Sequence, residues 1–524
     1  MKTLRILCRI FSLLLPIIYN KSVFAEKPVY WIDPSVPSEI RIALLSEISD
    51  SNVSELRETA DCIVDLADEI SMAEKTGSVQ WIYVVAAPYA TVTDEIPSES
   101  LLNIWQGEPD DAVSKLILDR ETYEVFSKFW GEPDKLTVET LPENELLSST
   151  WKGEKTWAII PFPTIDPRWK IIKVDGISPL DFEFNPDHYP LKIEWNVTPA
   201  ASAAKCKISL PDGNFDPEKL TSLTLTGTTA LVRQMAYHIE EDGLLYPVEN
   251  IAETLSKSDI THISNEVSFT PDCPPAVPLR REARFCSDPS YISILKAVGA
   301  DVIELTGNHV LDWGYDPFLY SLDLYDKEGM KVYGGGVTAE KGQEPVFFEH
   351  HGNRIAILGC NAVGPENILG TADLPGAAPC DLEKMKTQIS DLRKDGWMVV
   401  VTFQHLEYDY YDVVPLQSHD FFEIAGAGPV IVSGSQAHIP QGMTFVDQTF
   451  IHFGLGNLLF DQMSDVERDS FFDRHYFYNG KYIGNILETI RLENYSQPRF
   501  LKGDERSSFL NLIFNTCSWD KAFQ

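Results

Sequence analysis

The sequence predicts an α/β fold organised around residues 302–314, and two observations favour that class. A short apolar run at 302–305 is followed almost at once by Asn308 and His309. Several later apolar runs also pass directly into polar residues. Buried parallel strands end in this way at the carboxyl edge of an open α/β sheet, where such folds place their ligands. We therefore expect one polar rim on a layered α/β domain.

Length and composition bound the number of domains and the kinds of partner. At 524 residues the chain is too long for one core, and usual domain sizes give roughly two or three. The formal net charge of −35 is spread along the chain and argues against a nucleic-acid or anionic-membrane partner. It would also repel a polyanionic substrate, unless a metal ion or local Arg and Lys side chains offset the field.

Residues 1–25 are predicted to be a signal peptide. A basic start precedes the apolar run 10–18, which is too short to span a bilayer comfortably, and residues 23–25 suit a signal peptidase. The alternative is an uncleaved amphipathic anchor, which would then be the protein's only membrane attachment. We expect an extracytoplasmic protein that is secreted, periplasmic or on the cell surface.

Export would permit disulfides. Seven cysteines follow the predicted cleavage point. Cys273 with Cys286, and Cys360 with Cys380, bracket loops rich in Pro and Gly, and we predict these two pairs. The odd count leaves at least one thiol free or intermolecular, and the remaining connectivity stays open.

Residues 26–195 are predicted to form a smaller α/β domain. Strand-like runs occur at 42–45, 80–86 and 157–161, and a helix is expected at 53–69. The alternation of the two patterns is typical of α/β units.

Two phrases in this domain, 81–109 and 155–181, resemble the lobes of periplasmic solute-binding proteins of the phosphate-binding type. In the first phrase a strand and a turn lead into an amphipathic helix that ends at 105–107. The domain shows no Gly-rich phosphate cradle, so an accessory domain without a ligand stays the alternative.

A shift to small, polar, Pro and Gly residues at 196–219 indicates a linker. Residues 220–465 follow as the layered domain, and 466–524 are expected to be a C-terminal extension that packs back on one domain. The strands expected in the layered domain are 223–225, 260–263, 301–305, 331–333, 354–358, 398–402, 430–432 and 450–453. The expected helices are 289–298, 317–328 and 382–395.

Six phrases in the layered domain carry a family resemblance through their order along the chain. They are Gly227-Thr228, Asn265-Glu266, Gly307-Asn308-His309 with Asp312, His405-Leu406-Glu407-Tyr408, 434–442 and 454–461. In this order they resemble the CapA family of poly-γ-glutamate capsule biosynthesis proteins, a branch of the calcineurin-like metallophosphoesterase superfamily. The resemblance implies a four-layer α/β/β/α metallophosphoesterase-like domain, preceded by the smaller α/β domain.

The resemblance also implies a metal site. A two-metal phosphoesterase site needs a bridging carboxylate, an Asn oxygen and imidazoles from several strand ends, so that two ions clamp the attacking and leaving oxygens. Glu266 would be the bridging carboxylate, and Asn308, His405, Gln436 and His438 would be further metal ligands.

Three other residues would act on the substrate. His309 would be the non-ligand histidine beside the scissile bond, and Asp312 would orient it through a hydrogen bond. Arg233 would offset the charge of the substrate. Plainer interpretations stay open, because Glu266 could cap the following turn and His438 could bond a backbone carbonyl.

Two departures from the family pattern argue against a full two-metal site. Thr228 stands where an Asp should anchor the first metal, and a neutral hydroxyl is a poor substitute for a carboxylate. Gln436 replaces a His, and an amide oxygen binds a transition metal more weakly. We therefore expect one weakly held divalent ion (Mn, Fe or Zn), or none.

Three functions are compatible with these residues. The first is an exported CapA-like protein that acts in the biosynthesis or processing of a cell-surface polymer of the poly-γ-glutamate type. The second is a secreted metal-dependent phosphoesterase or related hydrolase. The third is a non-catalytic module that binds a phosphorylated or peptidic small ligand. The sequence does not decide whether the protein is an enzyme.

Overall fold

The structure is a computed structural model, and it describes residues 27–49, 52–67, 75–200, 206, 208–278, 283–406, 410–462 and 464–523. The described residues divide into two compact units, one drawn from 1–78 and 195–211 and the other from 79–194 and 212–524. The predicted signal peptide lies outside the described residues.

The smaller unit contains β1 (Tyr30–Ile32), α1 (Ser38–Glu47) and β2 (Cys62–Leu66). β1 and β2 pair in parallel, and Cys62 forms a disulfide with Cys206. This unit therefore has a covalent link between residues that lie 144 positions apart in the chain.

Two predictions for the smaller unit are wrong. Residues 42–45 lie in α1 rather than in a strand. Ile40 and Leu44 are fully buried while Ile42 is 68% exposed, which is helical spacing. The described part of 53–69 contains a 3₁₀ turn at Arg57–Thr59 and the strand β2 rather than the predicted long helix. In β2, Cys62 and Val64 are buried with the two-residue period of a strand.

The region from β3 to β9 has the predicted α/β character. Its strands are β3 (Gly77–Pro88), β4 (Glu95–Ile96), β5 (Lys115–Leu118), β6 (Val138–Thr140), β7 (Thr156–Pro161), β8 (Trp169–Val174) and β9 (Lys192–Pro199). Its helices are α2 (Ser98–Trp105), α3 (Arg120–Trp130) and α4 (Glu143–Lys152). The strands predicted at 80–86 and 157–161 are confirmed as parts of β3 and β7.

The remaining elements form the layered domain, and the strands and helices predicted there are confirmed. The strands are β10 (Leu220–Thr226), β11 (Thr228–Thr229), β12 (Ile260–Asn265), β13 (Ala300–Glu304), β14 (Lys331–Tyr333), β15 (Gly335–Gly336), β16 (Val346–His350), β17 (Asn353–Asn361), β18 (Gly376–Ala377), β19 (Met398–Gln404), β20 (Ile431–Ser433), β21 (Met443–Val446), β22 (Thr449–His452), β23 (Asn457–Leu459), β24 (Asp469–Tyr478), β25 (Lys481–Glu493) and β26 (Gln497–Phe500). The helices are α5 (Arg233–Asp242), α6 (Ala252–Ser256), α7 (Ile292–Ala297), α8 (Tyr315–Lys327), α9 (Ala339–Gly342), α10 (Leu382–Lys394), α11 (Pro415–Ala425) and α12 (Gly503–Phe514).

Two large sheets organise this domain. The first sheet has the strand order β14-β13-β12-β10-β24-β25-β26, and its β10 to β14 members are parallel. The second sheet has the order β16-β17-β19-β20-β22-β21, with β17, β19, β20 and β22 parallel. The short strand β11 pairs with both β12 and β23.

Three apolar clusters show that these sheets form a four-layer α/β/β/α fold. One cluster lies between the sheets and joins residues such as Leu223 of the first sheet to Ile357 of the second. A second cluster packs α5 to α8 on the outer face of the first sheet. A third packs α10 and α11 on the outer face of the second sheet. The predicted fold class is therefore confirmed.

The C-terminal segment, predicted as an extension that packs back on one domain, contributes strands to the first sheet. Its strand β24 pairs antiparallel with β10 over seven residues, from Leu220 with Tyr478 to Thr226 with Phe472. Aromatic residues of β24 fill both faces of the sheet, because Phe471 joins the cluster between the sheets and Phe472 joins the helix-facing cluster. The first sheet therefore continues well beyond residue 465.

Both predicted disulfides are confirmed. Cys273 bonds to Cys286 and Cys360 bonds to Cys380, and Cys517 is the free thiol among the described cysteines. In the described part of the chain, the helices are all too short or too polar to cross a membrane.

Gly227 fixes the approach of β11 to the loop before β23. A Cβ atom at this position would lie 1.9 Å from the carbonyl oxygen of Gly456, which accepts a hydrogen bond from the Thr228 N–H at 3.0 Å. Only glycine allows this contact, because any side chain would push two backbone segments apart.

We expect Gly227→Ala to lower the free energy of unfolding by about 1–3 kcal/mol or more, since the added methyl overpacks two backbones. Denaturant titration of the full chain measures the change. Gly426→Ala is the matched control, because its Cβ would meet carbonyl oxygens at an ordinary 3.5 and 3.6 Å. Equal stability of the two variants would contradict this account of Gly227.

Candidate functional site

The candidate site lies where segments from both sheets meet. Glu266 follows β12 in the first sheet, and His309 follows β13 beside it. A parallel backbone bridge joins Val267 to His309. Gly307 permits the close approach, because a Cβ there would lie 2.7 Å from the Glu266 Cα. The second sheet contributes His438 from the loop between β20 and β21.

Glu266 is fully buried between two imidazoles. Its Oε1 lies 3.9 Å from His309 Nε2, and its Oε2 lies 4.0 Å from His438 Nε2. Both separations exceed a hydrogen bond. The structure therefore brings together three of the residues predicted for the site.

A hydrogen bond fixes the orientation of His309. Its Nδ1 lies 2.7 Å from Asp312 Oδ2, which also accepts the Phe285 N–H at 2.8 Å. The Phe285 ring lies 4.6 Å from the His309 ring, between centroids. The predicted contact between His309 and Asp312 is thus present, and it leaves Nε2 facing the Glu266 carboxylate.

His438 is held in a similar way by Asn457 on β23, a residue that the sequence interpretation did not assign to the site. The Nδ1 of His438 lies 2.8 Å from Asn457 Oδ1, and the Asn457 amide donates to the backbone oxygens of His438 and Glu467. Because the amide nitrogen is committed to carbonyls, Asn457 presents its oxygen to His438 as an acceptor. The imidazole then carries its proton on Nδ1 and a lone pair on the Nε2 that faces Glu266.

Two further predicted metal ligands, Asn308 and Gln436, carry buried amide oxygens. Asn308 Oδ1 and Gln436 Oε1 are both buried and accept no hydrogen bond from the described residues. The other end of the Gln436 amide donates to Ser264 Oγ at 2.6 Å, two positions before Glu266. Buried oxygens without a donor are unfavourable unless a cation or a water satisfies them.

The carboxylate, imidazole and amide groups of these residues would suit one divalent ion better than two. Within the described ranges, no three His, Cys, Asp or Glu side chains form a metal-binding group by themselves. A single ion would be held by the carboxylate of Glu266, Nε2 of His438 and the amide oxygens of Asn308 and Gln436. Carboxylate, imidazole and amide ligands suit Mn, Fe or Zn.

His405, which was expected to bind metal, and Thr228, which stands where the family pattern has a metal-binding Asp, are both occupied elsewhere. Thr228 is buried in β11, and its hydroxyl donates to the Ser435 carbonyl at 3.5 Å. His405 contacts Asp420 through Nε2 at 3.0 Å and accepts the Leu406 N–H on Nδ1 at 2.8 Å. Both ring nitrogens of His405 are therefore engaged away from Glu266. The adjoining phrase residues 407–409 lie outside the described residues.

Arg233, the predicted substrate-binding residue, is paired within the protein. Its Nε and Nη2 donate to Asp461 Oδ1 at 2.9 and 2.7 Å, and its guanidinium stacks on Phe285 and Phe460. Asp461 also accepts the N–H of Gln234 at 2.6 Å. Much of the charge of Arg233 is thus neutralised, and its role in substrate binding stays a prediction.

A buried carboxylate beneath the site was missed by sequence reasoning. Glu304, the last residue of β13, is fully buried and lies 3.1 Å from His262 Nε2. Hydroxyl groups of Thr306, Thr402 and Ser435 donate to it. Burial alone would raise the pKa of Glu304, but the bonds from His262 and the hydroxyls outweigh it, and the net pKa is lowered. The signal in the sequence was a single charge inside the apolar run at 302–305.

Comparison with known proteins places the site inside a matched segment. Residues 222–462 match the family model described as "Bacterial capsule synthesis protein PGA_cap". The "PGA biosynthesis protein CapA" of Bacillus subtilis (strain 168) is 26% identical over 192 residues, which cover 36% of this chain and 50% of the relative. The "Capsule biosynthesis protein CapA" of Bacillus anthracis is 23% identical over 265 residues, covering 50% of this chain and 64% of the relative. The chain thus spans between half and two thirds of these relatives.

Solved structures give weaker similarities. An ABC-type phosphate transport receptor from Vibrio cholerae is 12% identical with a TM-score of 0.28, covering 34% of this chain and 88% of the receptor. The protein TT1561 of Thermus thermophilus is 12% identical with a TM-score of 0.29, covering 48% of this chain and 93% of that protein. Similarities at these scores bear on neither fold nor function. The solute-binding resemblance of residues 26–195 therefore stays a prediction.

We expect Glu304→Gln to lower the free energy of unfolding at pH 7 by about 1.5–3 kcal/mol, since it removes a charge that accepts several hydrogen bonds. A carboxyl group with a lowered folded-state pKa stabilises the fold above its ordinary pKa of 4.5 and loses that contribution at lower pH. The difference between wild type and variant should therefore shrink as the pH falls below about 4.5.

Urea unfolding at several pH values checks this expectation. The control is Glu349→Gln, because the Glu349 side chain is 66% exposed and pairs only at the surface with Arg354. A stability difference for Glu304→Gln that grows on acidification would contradict the assigned direction.

Proposed function

The chain belongs to the bacterial capsule synthesis family PGA_cap through residues 222–462, and from this premise we propose that it is an exported CapA-like protein that synthesises or processes a capsule polymer. The polymer is of the poly-γ-glutamate type, as the name of the Bacillus subtilis relative indicates. The observation that carries the proposal is the convergence of His309 and His438 on the buried carboxylate of Glu266.

One divalent ion, Mn, Fe or Zn, is proposed at Glu266, Asn308, Gln436 and His438. When bound, such an ion polarises a carbonyl or phosphoryl oxygen of the substrate. The buried amide oxygens of Asn308 and Gln436 support this assignment. Asn457 supports it as well, because its hydrogen bond directs the Nε2 lone pair of His438 toward Glu266.

His309 is the proposed acid–base residue. Asp312 holds its Nδ1 at 2.7 Å and so fixes the ring. Its Nε2 is then available to carry a proton to a leaving group at the side of the site lined by Phe285.

Export is proposed from two observations. The N-terminal 25 residues have the pattern of a signal peptide. Three disulfides bond six of the described cysteines, and such bonds persist in oxidising compartments. An extracytoplasmic location suits a protein that acts on a cell-surface polymer.

A second candidate function is a non-catalytic module that binds the polymer or a related small ligand. The engagement of His405 with Asp420 favours it, because one proposed metal ligand is then lost. The buried hydroxyl at Thr228 favours it too, since no carboxylate stands there to hold a first metal. Metal content and turnover distinguish the two candidates.

We expect purified wild-type protein to hold about one equivalent of Mn, Fe or Zn and to shorten poly-γ-glutamate. Glu266→Gln and His438→Ala should lose the metal, measured by elemental analysis. His309→Gln should keep the metal while turnover, measured as chain length by gel filtration, falls by about 10²–10⁴-fold.

His188→Gln serves as the control, because His188 is an exposed histidine in the 79–194 region. It should leave metal content and turnover unchanged. Loss of metal from His309→Gln would show that His309 is a ligand rather than an acid. A wild type that binds polymer without metal or turnover would favour the binding module.

A further inference from the structure

A cavity of about 250 Å³ opens beside the candidate site. Phe285 lines it and also contacts the His309 ring, at 4.6 Å between centroids, so one side chain connects the cavity wall to His309. Four charged side chains also line it, two basic and two acidic: Arg233, Glu240, Arg284 and Asp288. Their partners within the protein decide which of them is available to a ligand.

Three of the four charged side chains have hydrogen-bond partners within the protein that occupy them. Arg233 is bound by Asp461, as described above. Glu240 Oε1 accepts the Ala276 N–H at 3.0 Å and the Tyr291 hydroxyl at 3.1 Å. Asp288 Oδ1 accepts from the backbone and the hydroxyl of Ser290, at 2.8 and 2.6 Å.

Arg284 is the exception. Its Nε donates to the Asp312 carbonyl oxygen at 2.9 Å, and its guanidinium lies 4.7 Å from the centroid of the Trp313 ring. In the described part of the chain it has no carboxylate within ion-pair distance, although acids outnumber bases 78 to 43 in the sequence. The two contacts hold the guanidinium in place and leave its terminal nitrogens available to a ligand.

The position of Arg284 couples it to the reacting group. Asp312 accepts from Arg284 on its backbone oxygen and binds His309 Nδ1 through its side chain. The Phe285 N–H is bonded to the same carboxylate. A ligand bound by Arg284 would therefore be positioned through the same residue that orients His309.

We infer that Arg284 anchors a carboxylate of the substrate next to His309, so that the site selects a polycarboxylate chain over a neutral polymer. The inference rests on the proposed function for the reacting group. A planar guanidinium stacked on an aromatic ring binds a carboxylate through two parallel N–H bonds. In a chain of net charge −35 such a cation is also needed locally to admit a polyanion.

Binding of a γ-linked glutamate decamer to the full-length protein tests the inference by calorimetry at fixed ionic strength. We expect Arg284→Gln to weaken binding by at least about 10-fold, the loss of one charge-assisted pair. Arg284→Lys should keep the charge but lose the two-bond geometry and weaken binding less. The same decamer with its carboxylates amidated should bind wild type and Arg284→Gln equally weakly.

Arg354→Gln is the matched control, because Arg354 also stacks on a tryptophan, Trp397 at 4.1 Å, and pairs with Glu349 far along the chain from the site. It should bind the decamer as wild type does. Circular dichroism of each variant confirms folding. Because Arg284 is exposed, its substitution should leave the fold intact.

Two results would overturn the inference while the proposed function stands. One is equal decamer binding by wild type and Arg284→Gln. The other is displacement of bound decamer by inorganic phosphate at a similar concentration, which would assign the residue to a phosphate group instead. Failure of wild type to bind the decamer at all would overturn the proposed function together with this inference.

Discussion

The burial of the Glu266 carboxylate between two imidazoles is the constraint on which the rest of the site depends. Removing a carboxylate from water is costly unless positive charge or hydrogen-bond donors replace the lost solvation. The protein places His309 and His438 at 3.9 and 4.0 Å from this group, one from each sheet. The proposed ion, held by Glu266 and by Nε2 of His438, would supply the positive charge, and its site therefore requires the two sheets to meet at one rim.

Residues other than Glu266 and the two histidines bring the edges of the two sheets together. Gly227 and Gly307 allow backbones to approach where a side chain would collide. Below the rim, Glu304 accepts bonds from Thr402 of the second sheet and from the loop residue Ser435. The Glu304 carboxylate therefore links β13, the strand before His309, to β19 and to the loop after β20 in the second sheet. Apolar packing between the two sheets and hydrogen bonds at their edge therefore stabilise the same relative placement of the sheets.

The sequence predicted the parallel strands of the layered domain well, because each is an apolar run that ends in polar residues. It failed in two kinds of place. The four residues 42–45 are all apolar, so their pattern fits a helix and a strand equally well. Only the burial of Ile40 and Leu44, four positions apart, shows that the segment is a helix. The strand β24 lies far along the chain from β10, and no local pattern in residues 469–478 indicates which sheet it joins.

The candidate site shows the same difference between residues marked by a local pattern and residues paired across distant segments. Glu266, His309, Asp312 and His438 could be placed together from short phrases in the family's order. The partner of His405 could not, because Asp420 is an ordinary surface-type residue on α11 and no spacing marks its contact. Asn457 and Glu304 were likewise invisible as supporting groups, since their roles depend on pairings between segments that only the fold brings together.

A crystal structure with anomalous scattering collected at the Mn, Fe and Zn edges tests the proposed metal centre most directly. We expect a single peak between the Glu266 carboxylate and His438 Nε2, with the oxygens of Asn308 and Gln436 among its ligands. A peak at His405 and Asp420, or Glu266 compensated only by protein hydrogen bonds with no ion present, would contradict the proposed metal centre.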